Sequence, residues 1–188
     1  MSDALDRLWA GWRSTYMDEV TADGGELASS DGSIFTRILR AVEAGELSDR
    51  TAYIVHRGDH AFAILNAYPY GTGHLLVMPY EEVAQLEDLS PAQSADLWRL
   101  LNEAVVAIKS AYRPGGVNIG FNLGSAAGAG VPTHLHGHVL PRWGADSNFM
   151  TTVAEARVMP EPLSTTWEKL SQAWPSGTNP SPSPRRPR

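Results

Sequence analysis

Three histidines at alternate positions dominate the chemistry that this chain could perform. They lie in Thr133-His134-Leu135-His136-Gly137-His138-Val139-Leu140-Pro141. In an extended strand successive side chains point to opposite faces, so His134, His136 and His138 are expected to share one face. A rise of about 3.3 Å per residue would set neighbouring imidazoles roughly 6–7 Å apart. Leu135 and Val139 would pack the other face, with Gly137 leaving a gap between them. The strand is expected to stop at Pro141, which has no N–H for a ladder. Neutral imidazole is a nucleophile near pH 7, and a covalent intermediate divides one hard displacement into two easier ones. Just upstream, Gly124 to Gly130 contains only small residues, which would let backbone amides approach an anion. A row of imidazoles beside such a loop points to phosphate chemistry. Metal binding is the rival, because imidazole is a common ligand. It is weakened by the absence of cysteine and of any carboxylate within the run.

The remaining elements must hold that strand. Leu97, Leu101, Ala104, Val105 and Ile108 recur at helical spacing behind Ser90, Pro91 and Gln93, a capping box with proline at the first helical position. This long helix should end at Pro114-Gly115-Gly116, and a strand is expected over Val117 to Leu123. Upstream, Ala52 to His56 and His60 to Asn66 flank Arg57-Gly58-Asp59 and read as a hairpin. The Arg-Gly-Asp run is explained by turn chemistry, and His56 and His60 are expected to be exposed. Gly73 to Pro79 forms a third strand, with His74 at its start the one other histidine placed in the site. A shorter helix is expected from Ile34 to Ala44, built on Ile34, Phe35, Ile38, Leu39 and Val42 and closed by Gly45. Leu5, Leu8, Trp9, Trp12 and Tyr16 form an N-terminal amphipathic segment from which Arg13 could project, and residues 21–33 read as a loop. Leu163, Trp167, Leu170 and Trp174 mark a C-terminal helix. The loop after Pro141 carries Arg142. From Pro175 onward the chain is mostly proline, serine and glycine with Arg185, Arg186 and Arg188, which cannot bury a core and is expected to be disordered.

With 188 residues the chain is expected to form one domain with a proper core. A net charge of −6 argues against a nucleic-acid-binding surface. No apolar run reaches the roughly 20 residues of a membrane span, and Met1-Ser2-Asp3 does not open a signal sequence. A soluble cytoplasmic protein is expected.

His134 to Leu140 is similar to the His-x-His-x-His motif of the histidine-triad (HIT) nucleotide hydrolases and transferases. His60 to Pro79 resembles that family's second block. Asn118 to Gly124 and Pro141 to Phe149 look most like the bacterial diadenosine-tetraphosphate phosphorylases of the fragile-histidine-triad branch. The resemblance implies an α+β, HIT-like fold with an antiparallel, about five-stranded sheet, a long helix and flanking N- and C-terminal helices. It divides the chain into an N-terminal segment and linker (1–32), a HIT domain (33–160), a C-terminal helix (161–174) and a tail (175–188). By resemblance, His136 attacks the α-phosphorus and carries a nucleotidyl group. His138 donates to the phosphate oxygens, while His74 and His134 orient His136. Asn66 matches a position near the ribose. Asn122 and the amides of Gly128, Ala129, Gly130 and Val131 match a phosphate-binding stretch, and Ile38 and Leu39 could line the base pocket. The related phosphorylases carry Gln at the position of Gly137, with that side chain near the reacting phosphate. Many relatives carry Cys-x-x-Cys where this chain has Ser33-Ile34-Phe35-Thr36, so no zinc ribbon is expected.

The implied function is cleavage of dinucleoside polyphosphates by phosphate or by water. A nucleoside phosphoramidate hydrolase and a weakly catalytic nucleotide sensor are the alternatives. No cofactor or protein-held metal is required, although Mg2+ could accompany the polyphosphate. The partners expected are adenine or other purine nucleotides and a second copy in a homodimer, with a tetramer left open.

Overall fold

Ser33 ends one element and starts the next. The protein is described from a computed structural model, which covers residues 28–29, 32–144, 146 and 161–175. The N-terminal segment from Leu5 to Tyr16, residues 147–149 and the tail from 176 lie outside the described residues. Within the run read as a loop, β1 (Ala28–Ser29) and β2 (Gly32–Ser33) pair antiparallel. Ser33 then caps α1 (Ile34–Glu43), its Oγ accepting the N–H of Thr36. Ile34, Phe35, Ile38 and Leu39 are buried on one face of α1.

The main sheet has the order β3-β4-β5-β7-β6, and every neighbouring pair is antiparallel. Its strands are β3 (Ile54–Arg57), β4 (Ala61–Leu65), β5 (Leu75–Pro79), β6 (Gly116–Phe121) and β7 (Gly137–Arg142). Between β5 and β6 runs α2 (Pro91–Tyr112), and α3 (Leu163–Ala173) follows β7. The capping box of Ser90 and Gln93 is formed as expected. The α2 helix stops one residue before Arg113, which takes a left-handed conformation with φ 48°.

Alternation along the strands separates two cores. Ala61, Ala63, Leu65, Leu75, Val77 and Val139 face α2 and α3. Ala61, Ala63, Ala104 and Ala107 are fully buried, so short side chains let α2 lie close on β4. Phe62, Ile64, Leu76 and Met78 face α1 instead. His138 pairs with Leu76 across β5 and β7, which puts the histidine face on the α1 side.

Several expectations change. The period-two run is not all strand: β7 starts at Gly137, so His134, whose N–H closes a turn on Val131 O, and His136 lie in the lead-in. Pro141 does not end the strand but pairs with Val117. It lies beyond Gly137–Val139, the span of β7 paired with β5, so a missing N–H there breaks no second ladder. His56 is buried rather than exposed, stacked on Trp174 at 4.7 Å beneath the C-terminal helix. Strand β3 starts at Ile54, because Tyr53 takes φ 58° and the preceding residues form turns.

Candidate active site

The site is assembled where β5 and β7 lie side by side and α1 passes over them. His136 is buried, and its Nδ1–H donates to the backbone carbonyl of His134 at 2.7 Å. A carbonyl only accepts, so this bond fixes the proton on Nδ1 and leaves the lone pair on Nε2. That nitrogen has no hydrogen-bond partner among the described residues. Phe35 of α1 lies 5.6 Å from the His136 ring and meets the His134 ring edge-on at the same distance.

A second chain of hydrogen bonds sets His138. The backbone N–H of Tyr70 donates to His74 Nδ1 at 3.0 Å, and the Asn66 amide approaches the same nitrogen at 3.2 Å. His74 therefore carries its proton on Nε2 and donates it to His138 Nδ1 at 3.0 Å. The remaining proton of neutral His138 sits on Nε2, which is buried without a partner among the described residues. A buried N–H with nothing to bind is costly unless a ligand supplies the acceptor. The His136 and His138 rings are 5.2 Å apart, closer than an ideal strand would hold them.

Burial pushes all three triad histidines below the ordinary imidazole value. For His136 the Nδ1–H bond to His134 works in the opposite direction. For His138, burial and then the neighbouring His136 bring the value down to about 4. His134 is lowered by burial and by His136, against its bond to Pro79 and the charge of Glu82. A neutral, nucleophilic imidazole at position 136 is the consequence at neutral pH.

The expected supporting roles need revision. His74 and His134 were to orient His136, but His74 bonds His138, and His134 acts on His136 through its carbonyl rather than its ring. The His134 ring is bonded elsewhere, to Pro79 O at 2.9 Å and to Ser33 Oγ at 2.8 Å. Asn66 is held by His74 and by the Tyr68 N–H at 2.8 Å, which places it behind His74. Asn122 directly follows Phe121, the last residue of β6, which pairs with Gly137. Its amide donates to Gly128 O at 3.3 Å and so ties the end of β6 to the small-residue loop. Within that loop Ala127, Gly128 and Ala129 already use their N–H groups in turn bonds. Val131 packs its side chain against the α1-side core, as do Ile38 and Leu39.

Position 137 does not face the reacting centre. A Cβ on Gly137 would meet the Phe121 ring at 2.8 Å and Leu101 Cδ2 at 3.2 Å, on the α2 side. Strand alternation requires this, since both neighbouring histidines point the other way. A hollow of about 400 Å3 lined by Val105, Lys109, Arg113 and Gly116 contains none of the histidines. Among the described residues, no three His, Cys, Asp or Glu side chains converge on a position that could hold a metal.

Sequence reasoning missed Ser33, Phe35, Tyr70 and Glu82. Ser33 carried a signal, a serine directly before a helical apolar pattern. Glu82 carried none, because only the fold brings it to Ser33.

The chain is similar to known proteins. A family model described as the HIT domain matches residues 48–144. The AP-4-A phosphorylase of Mycobacterium tuberculosis is 41% identical over 173 residues, 92% of this chain and 86% of that protein. The asymmetrical bis(5'-nucleosyl)-tetraphosphatase of Schizosaccharomyces pombe is 34% identical over 93 residues, 50% of each chain. Among solved structures, a hypothetical histidine triad nucleotide-binding protein of Sulfolobus tokodaii superposes with a TM-score of 0.58 at 25% identity. The match covers 74% of this chain and 89% of that one.

Proposed function

The chain belongs to the histidine-triad (HIT) family, and on that premise we propose that it is an enzyme cleaving dinucleoside polyphosphates through a nucleotidyl group carried on His136. The observation that carries this reading is the Nδ1–H of His136 fixed on the His134 carbonyl at 2.7 Å, which leaves Nε2 as the nucleophile. In the first step Nε2 attacks the α-phosphorus of diadenosine tetraphosphate. The bond from that phosphorus to its bridging oxygen breaks, and ATP leaves. The Nε2–H of His138, buried without a partner among the described residues, is assigned to donate to a phosphate oxygen as charge builds there. Asn122 and the amides of Gly130 and Val131 are assigned to the remaining phosphate oxygens, and Asn66 to the ribose side. In the second step phosphate or water attacks the same phosphorus, releasing ADP or AMP and restoring the lone pair on His136.

Similarity to a phosphorylase over most of the chain favours phosphate as the second acceptor. The test is product analysis with diadenosine tetraphosphate, with and without inorganic phosphate. ADP plus ATP, formed only with phosphate, supports phosphorolysis. AMP plus ATP in both cases means hydrolysis, and no turnover alongside tight AMP binding would leave a sensor.

The assembly we propose is a homodimer. Its support is β6, the end strand of the sheet among the described residues, where Ile119 is exposed, together with exposed Trp98 and Val106 on α2. Sedimentation at micromolar concentration tests it. A cytoplasmic setting fits the cysteine-free sequence, and no described helix is long and apolar enough to cross a membrane.

A further inference from the structure

Ser33 and His134 are both completely buried, and they lie on different elements: the cap of α1 and the lead-in to β7. The Ser33 hydroxyl is 2.8 Å from His134 Nδ1. The other ring nitrogen, Nε2, faces the carbonyl of Pro79 at 2.9 Å and must carry the proton. In the neutral ring Nδ1 is then bare, so Ser33 has to donate to it. Thr36 Oγ1, at 3.1 Å, is a more distant rival for that proton than the bare Nδ1 at 2.8 Å. Thr36 Oγ1 gives its own proton to Glu82 Oε2 at 2.7 Å, and Thr36 N–H donates to Ser33 Oγ. The same carboxylate oxygen accepts the Ser33 N–H at 2.8 Å, clamping the serine in place. Gly32 makes room for that clamp, because a Cβ there would lie 3.0 Å from Glu82 Oε2 at φ +94°.

We propose that Ser33 is a positioning residue for the reaction: its hydroxyl fixes the tautomer and place of His134, whose carbonyl in turn fixes the tautomer of His136. Ser33 lies outside the span matched by the family model. The inference rests on His136 being the nucleophile. Ser33, held by Glu82, thereby ties helix α1, which carries Phe35 over both rings, to the proton position on the reacting imidazole.

Two substitutions separate this role from simple helix capping. Aspartate is as good an N-cap as serine but has no proton to give, whereas threonine retains both abilities. Ser33→Asp should lower kcat roughly 10–100-fold, as loss of a histidine-orienting group does, with KM changed by less than about threefold. Ser33→Thr should restore kcat. Nitrogen NMR of the rings supplies a readout independent of turnover. At neutral pH the wild-type protein should show His134 protonated on Nε2 alone and His136 on Nδ1 alone, and Ser33→Asp should lose the single His136 tautomer. The proposal is overturned if wild-type His134 carries its proton on Nδ1. It is equally overturned if Ser33→Asp keeps the wild-type tautomers and a kcat within about twofold. Should the wild-type chain turn over no dinucleoside polyphosphate, the proposed function fails, and the ring tautomers still decide the role of Ser33. They also decide it if a variant does not fold.

Discussion

The carbonyl oxygen of His134 accepts the Nδ1–H of His136 at 2.7 Å, so the backbone of one triad residue sets the reactive nitrogen of the next. A side-chain partner could rotate away or titrate, but a backbone carbonyl held between two secondary elements can do neither. The nucleophile is thus oriented without a charged group beside it, which keeps the imidazole neutral.

Removing that imidazole should end chemistry and spare binding. His136→Ala is expected to abolish turnover while AMP affinity changes by less than about tenfold, or ~1.4 kcal/mol. Intact mass after an acid-free quench should show one nucleotidyl adduct on the wild-type chain and none on the variant. Residual steady turnover by His136→Ala would assign the nucleophile elsewhere.

Acid should inactivate and destabilise together. Burial holds His134, His136 and His138 below the ordinary value of 6.5, and His138 near 4. Between those pH values the unfolded chain binds protons that the folded chain refuses. Stability is therefore complete above about pH 6.5 and is lost as pH falls toward 4. The melting temperature should fall across that window, and the acid limb of kcat/KM should lie below 6.5. An acid limb above 7 would contradict the burial of these rings.

His74→Ala should act through His138. Without the donor at 3.0 Å, His138 is free to put its proton on Nδ1, and Nε2 then repels a phosphate oxygen instead of binding it. A loss of roughly 10–100-fold in kcat is expected, with a smaller change in AMP affinity. Equal losses in both would point to ground-state binding as the role of His74.

Gly137→Gln should be a stability variant. The added side chain meets Phe121 and Leu101 in the α2-side core, and overpacking of this kind costs about 1–3 kcal/mol. Denaturant unfolding should show the loss, while the ratio of ADP to AMP formed stays that of the wild type. A changed ratio would mean that position 137 reaches the reacting phosphate.

Asp96 tests the opposite core. Its buried carboxylate accepts the N–H groups of His60 at 2.6 Å and Ala61 at 3.0 Å, and pairs with Arg99. Asp96→Ala leaves both amides unsatisfied and should cost about 2–3 kcal/mol in denaturant unfolding, with kcat per folded molecule unchanged.

Local rules were enough to read much of this molecule. The capping box at Ser90, the turn residues around Gly58 and the apolar runs beside them marked α2, β3 and β4, because those signals act over a few residues, while period two at His134 to His138 marked only the start of β7. The expected participants His74, His136 and His138 do come together, since strand pairing sets them on one face. The division of labour among the rings was a tertiary matter. His74 serves His138 because β5 lies beside β7, and His134 turns its ring to Ser33 and Pro79 because α1 and the end of β5 reach it from opposite sides. His56 is buried because Trp174, more than a hundred residues later, comes back to cover it. Hydrogen-bond direction depends on which partner arrives across space, and neither spacing nor composition encodes that arrival.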